Sequence, residues 1–273
     1  GNDNPQRDEQ DHRAVAFRLA LYFLLKKCNS CYLAGPFIEL NNLKDGFNKM
    51  LEKHHIATKE ITFIPTLKNK IDFHGKTYKY SSPFENYNES TPSNKPIEKL
   101  IYVANRLQFS KTNQAIVYCL YPAYTEQHAR EFSDSYKDPS PIDSSIQMFI
   151  EHLKNNYNFS FGGKRSSFDS WDLVYALRNQ IGIHNGKFPK YFQREIMRRF
   201  NDGAMSTLFC TSTIVEGVNT NAKTVVVYNN PSGKTDESKK FLLLNINVRA
   251  VRYKHIFIGN IVYLSKKSLK NVN

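Results

Sequence analysis

The chain has 273 residues, room for one large domain or two small ones, and its 40% hydrophobic content is enough for a real core. Its 38 Lys and Arg against 25 Asp and Glu give a formal charge of +13, which favours an anionic partner, with nucleic acid first among them. No apolar run approaches the roughly 18 residues of a membrane span, and the opening GNDNPQR is not a signal peptide, so the expectation is a cytoplasmic protein with no membrane partner.

The chain is polar up to Arg13, and Phe17, Leu21, Leu24 and Leu25 then recur at helical spacing, with Lys26 and Lys27 suited to the helix C-terminus. A short strand, CYLAG, and a helix over Leu43 to His54 follow. Residues Ile61 to Tyr80 alternate and predict one or two strands, whereas SSPFENYNESTPSNKP, with Pro83, Pro92 and Pro96, reads as a loop. Beyond it comes a regular succession. A helix over Ile97 to Arg106 leads to an almost wholly apolar strand at Gln114 to Leu120, then a helix from Ala123. Further helices are expected at Ile142 to Asn155 and Ser167 to Asn179. Strand IGIH is followed by a helix that starts at Pro189 and stops at Gly203. Strands MSTLFC and TVVVY, a polar loop NNPSGKTDESKK, a helix near Lys240 to Arg249 and strand IFIGNIVYL complete the order.

Alternating strands and helices imply an α/β class with a mainly parallel sheet, in which ligands gather beyond the carboxyl ends of the strands. Two polar segments fall there: HNGKFP, and TSTIVEGVNT from Thr211 to Thr220. The cysteines point elsewhere. Cys119 and Cys210 sit in apolar runs and read as buried small hydrophobes. Cys28 and Cys31 form one CxxC with no second, short of the four ligands of a structural zinc, so no metal site is expected.

Four segments, in order and at sensible spacing, resemble the second RecA-like lobe of superfamily 2 DEAD/DEAH-type helicases, closest to the Ski2-like group. They are IVYC, GIHNGKFPKYFQREIMRRFNDG, LFCTSTIVEGVNTNAKTVVVYN and NINVRAVRYKHIFIGNIVYL, and the likeness covers roughly Thr58 to Leu264. They look like motif IV, a backbone-touching strand and loop, motif V and motif VI. The resemblance implies a RecA-like sheet flanked by helices over 58–273, preceded over 1–57 by a remnant of the first lobe in which LAGPFIEL stands for motif III. Gly35-Pro36 replaces the usual Ser-Ala-Thr there.

The resemblance also assigns roles. His184, Asn185, Gly186 and Lys187, together with Thr211, Ser212 and Thr213, would hold phosphates of single-stranded RNA or DNA, which fixes position without reading sequence. Glu216, Gly217, Asn219 and Asn245 would approach the nucleotide. Arg252 would be the arginine finger on the transferring γ-phosphoryl, with Arg249 its partner. Where the family has glycines before these arginines, this chain has Val248 and Val251, whose branched bulk crowds the approach.

No GxxxxGK[ST] segment occurs, and DEQDH at Asp8 to His12 follows no buried strand that could present it as a DExH/D box. ATP and Mg²⁺ are therefore expected only with a missing N-terminal lobe, and the isolated chain is expected to be inactive. The alternative function is a non-catalytic module, derived from a helicase lobe, that binds nucleic acid or protein.

Overall fold

The computed structural model describes residues 5–28, 43, 45–59, 67–91, 93–136, 140–157, 167–211, 220–229 and 258–264. The chain divides into two compact units, Gly1–Phe63 and Ile64–Asn273.

In the first unit, helix α1 (Pro5–Lys27) begins well before Ala14, so the polar opening residues continue the helix instead of preceding it. DEQDH thus lies within a helix and not at the end of a strand. Helix α2 (Asp45–Lys53) matches its expected place and buries Leu51. The CYLAG strand lies outside the described residues. Among the described residues, no helix is long and apolar enough to cross a membrane.

The second unit is built on one eight-stranded sheet. Its strands are β1 (Leu67–His74), β2 (Thr77–Ser81), β3 (Asn86–Ser90), β4 (Ala115–Tyr118), β5 (Ile181–His184), β6 (Thr207–Cys210), β7 (Thr224–Val227) and β8 (Ile258–Tyr263), in the order β3-β2-β1-β8-β7-β4-β6-β5. Every pairing from β1 through β5 is parallel. The two pairings beyond β1 are antiparallel. The expected α/β class with a mainly parallel sheet is what the structure has.

The helices of this unit are α3 (Pro96–Arg106), α4 (Pro122–Ser135), α5 (Ser144–Asn156), α6 (Asp172–Arg178) and α7 (Lys190–Asn201). They cover both sheet faces. Consecutive strand residues point to opposite faces. Phe209 of β6 packs on Phe132 of α4, with ring centroids 5.6 Å apart. Leu208, next in the chain, faces Gly182, and a Cβ on Gly182 would stand 3.3 Å from Ile196 of α7. Strands β4, β6 and β7 are buried at every position, which explains their uninterrupted apolar sequences.

Local chemistry sets the element ends. Gly75 opens the two-residue turn from β1 to β2 with φ +60, a left-handed value that a two-residue hairpin loop needs at its first position. Helix α7 ends as Pro-in, Gly-out patterning implies: Gly203 adopts φ +81, its N–H donates to Phe200 O, and Ala204 N–H donates to Arg199 O, which together form a Schellman motif.

The stretch read as a loop before Pro96 contains β3. Tyr87 of β3 stacks on Tyr80 of β2 at 4.8 Å between centroids, and Glu89 accepts from Arg106 Nε at 3.2 Å. These contacts turn a polar, Pro-flanked segment into an edge strand. The helix expected from Ser167 begins instead at Asp172, after a 3₁₀ turn over Phe168–Ser170 closed by a capping box from Ser167.

Candidate nucleic-acid interface

The carboxyl ends of β5 and β6 adjoin. Register pairs His184 with Cys210, and Thr211 N–H then donates to His184 O at 3.3 Å. The HNGK turn and the first residue of TSTIVEGVNT therefore share one rim of the sheet.

Asn185 builds the turn. It is fully buried. Its Oδ1 accepts from Lys187 N–H at 2.8 Å, which closes an Asx-type turn. Its Nδ2 donates to Glu126 Oε1 of α4 at 3.0 Å. Its carbonyl accepts from Phe188 N–H at 3.2 Å, and Phe188 O accepts from Gln193 Nε2 at 2.7 Å, so the turn is tied to the start of α7. Gly186 and Lys187 remain exposed at the tip.

The rim thus separates by role. Lys187 offers a charge to solvent, and Gly186 is exposed beside it. Asn185 shapes the turn from beneath. His184 is 4% exposed with no hydrogen-bond partner at Nδ1. Burial lowers its pKa to about 4, so the ring is neutral at pH 7. Thr211 is likewise almost fully buried, and its backbone holds the two strands in step. Ser212, Thr213, Glu216, Gly217, Asn219, Asn245, Arg249 and Arg252 lie outside the described residues.

Further along the rim, Cys119 N–H donates to Cys210 O at 2.8 Å and Tyr228 N–H to Tyr118 O at 3.0 Å, so the ends of β4, β6 and β7 are level. Cys119 and Cys210 are fully buried and burial pushes both thiols up, so they pack as hydrophobes and are not poised as nucleophiles. Among the described residues, no cluster of His, Cys, Asp or Glu could hold a metal ion.

Two features here escape the sequence reading. One is Glu126 as the partner of Asn185, since nothing in sequence couples residues 59 positions apart. The other is the pair of exposed rings at Tyr121 and Tyr124 beside Pro122, at the start of α4. The i, i+3 spacing of two tyrosines at a predicted helix start is the signal that could have found them.

A mainly parallel sheet covered on both faces, with polar loops on its carboxyl rim, defines an α/β lobe of the RecA-like kind. Residues 146–254 match the family model of the helicase conserved C-terminal domain. Anti-bacteriophage protein B of Escherichia coli (strain K12) is 32% identical over 267 residues, which are 97% of this chain and 31% of that protein. Among solved structures, the DUF1998 helicase MrfA bound to DNA and AMPPNP is 13% identical, with 63% of this chain and 18% of that chain covered and a TM-score of 0.40. Residues 146–254 thus carry a helicase C-terminal domain, and the chain spans 31% of the length of its E. coli relative.

Proposed function

We propose that this chain is the C-terminal portion of an ATP-dependent nucleic-acid helicase or translocase, with residues 1–57 the end of a first lobe and 58–273 the second. The observation that carries the reading is the junction of the His184–Lys187 turn with Thr211 on one carboxyl rim, through the 3.3 Å bond from Thr211 N–H to His184 O. In this reading the rim holds the backbone of a single strand of RNA or DNA. Lys187, the exposed Gly186 and the Ser212 and Thr213 that follow the buried Thr211 supply the donors.

Glu216, Gly217, Asn219 and Asn245 then face the nucleotide, and Arg252 with Arg249 faces the γ-phosphoryl. Amide and guanidinium donors suit a triphosphate. The 273 residues hold no GxxxxGK[ST] segment, so this set forms one wall of the site, and ATP with Mg²⁺ needs an N-terminal lobe as partner. The protein would act in the cytoplasm. The part against bacteriophage that the name of the E. coli relative states is the biological setting we extend to it.

The test is titration of a labelled single strand with the chain from 50 to 200 mM salt. Binding should weaken steeply with salt, and Lys187→Glu should weaken it further and flatten the slope by about one released counterion. Affinity indifferent to salt removes the phosphate-holding rim. A second reading, a non-catalytic binding module, is favoured by Val248 and Val251 in place of the motif VI glycines. It shares the strand binding, and it differs in that ATP turnover would stay absent even beside a first lobe.

A further inference from the structure

Tyr121 and Tyr124 are each 51% exposed, and their rings meet edge to face with centroids 5.8 Å apart. They are the pair of exposed large hydrophobic side chains in ring contact among the described residues of the second unit. Neither is loosely placed. The carbonyl of Tyr121 accepts from both the backbone N–H of Thr125 at 3.0 Å and its hydroxyl at 2.9 Å, and Pro122 fixes the first turn between the two rings. Behind them Tyr124 stacks on His128 at 6.1 Å, and His128 lies 4.2 Å from Tyr228, whose ring is buried at the end of β7. A run of rings thus leads from solvent down to the carboxyl rim of the sheet.

The run meets the same carboxyl rim as the turn already described: it ends at β7, three strands from β5 in the sheet order, while Glu126, on another face of α4, holds Asn185 Nδ2. The charges at this spot are not those of a phosphate site. Glu126 is spoken for by Asn185, and Glu131 Oε2 lies 3.2 Å from His128 Nδ1. Carboxylates disfavour phosphate there, while exposed ring faces accept the π-face of any base. We propose that Tyr121 and Tyr124 form a stacking platform for the bases of the single strand whose backbone the tip of the His184–Lys187 turn holds. This rests on the strand-binding reading above. It assigns to α4 a contact made to bases through ring faces, separate from the contact made to phosphates through charge.

The experiment compares the full chain on an ordinary oligonucleotide and on one of equal length whose central positions are abasic. The abasic strand keeps every phosphate and removes the stacking partners. The unmodified chain should bind it more weakly, on the order of tenfold per base lost from the platform. Tyr121→Ala with Tyr124→Ala should lower affinity for the ordinary strand and abolish the difference between strands. The two Tyr→Phe changes should preserve it, and the salt slope should stay as in the unmodified chain. Equal binding of both strands by the unmodified chain, with a normal salt slope, overturns the platform and leaves the phosphate-holding rim standing. A preference that survives the double alanine change also overturns it. Binding of neither strand overturns the rim and the platform together. Because the first comparison uses the unmodified chain, a variant that folds poorly does not blunt the test.

Discussion

Asn185 serves two partners from a position that solvent does not reach. Its amide oxygen closes the turn on Lys187 N–H and its amide nitrogen reaches Glu126. Asn185→Ala leaves Glu126 and a turn amide without these bonds, and should cost about 1–3 kcal/mol in a urea titration and loosen the tip that carries Lys187. Unchanged stability would show that the turn holds itself by backbone alone. His184, its neighbour, makes a pH prediction. Its folded pKa of about 4 lies below the ordinary value of 6.5, because burial disfavours the charged ring. Between these values the unfolded chain binds the proton and the folded chain does not. The contribution is therefore present above pH 6.5 and is lost as pH falls toward 4, by roughly 3 kcal/mol in all. Unfolding midpoints at pH 7 and pH 5 should differ more for the unmodified chain than for His184→Gln, which cannot take up the proton; equal differences would mean that His184 opens to solvent. The sequence showed that HNGK belongs on a carboxyl rim. It could not show that His184 is roofed over while Lys187 is free, because enclosure depends on what β6 and α7 bring alongside.

Packing between elements rests on a few buried polar pairs. Asp172, fully buried at the start of α6, accepts from Arg130 Nη1 of α4 at 3.0 Å, and the same nitrogen donates to Ser170 O at 3.0 Å. The guanidinium also lies over the Tyr175 ring, 4.3 Å from its centroid. Removing the guanidinium takes its cationic partner from a buried carboxylate, so Arg130→Met should destabilise by about 3 kcal/mol, readable as a fall in the denaturant midpoint with little change in slope. Arg130→Met paired with Asp172→Leu should recover much of that loss, and failure to recover would locate the damage in packing against Tyr175 instead. Helix α4 was foreseeable from its pattern, as were α3, α5 and α7 and the apolar strands of the sheet, because burial on both faces writes itself into sequence as unbroken Val, Ile and Leu. Strand β3 was not. Its residues are Asn86, Tyr87, Asn88, Glu89 and Ser90, paired along their length with β2, and Tyr87 and Glu89 add side-chain contacts to β2 and α3. A polar edge strand held by pairing to β2 and by tertiary side-chain contacts looks, from sequence, like the loop that Pro83 and Pro92 announce. The start of α6 was misplaced for a similar reason: Ser167 caps a single 3₁₀ turn, and a helix cap and a turn cap use the same residue types.

Taken whole, the molecule on the proposed reading would offer one side of a phosphoryl-transfer site and one wall of a strand-binding cleft. Hydrolysis of ATP needs groups that cradle the β- and γ-phosphates, a carboxylate that holds Mg²⁺ and a base or positioned water, with an arginine finger adding several kcal/mol of barrier lowering on top of these. In this chain the finger candidates Arg249 and Arg252 are present, but no GxxxxGK[ST] segment is, and DEQDH lies inside α1 instead of at a strand end. An arginine finger acting on a nucleotide that nothing positions stabilises no transition state, since proximity and charge stabilisation must act on the same bound geometry. The isolated chain should therefore show no ATP turnover above background in a phosphate-release assay, with or without single strands, while still binding those strands. Turnover that Arg252→Ala abolishes would mean that these 273 residues hold a complete site. The decisive extension is to add a first lobe carrying GxxxxGK[ST] and a DExH/D box, in one polypeptide with the chain. If the lobe reading is right, turnover appears, rises with single strands and falls at least a hundredfold with Arg252→Ala, the scale on which an arginine finger acts. Replacing Val248 and Val251 by glycine should raise it if branched bulk holds the arginines back. Should turnover stay absent in the joined protein while strand binding persists, the lobe has kept its grip on nucleic acid and lost its part in the chemistry.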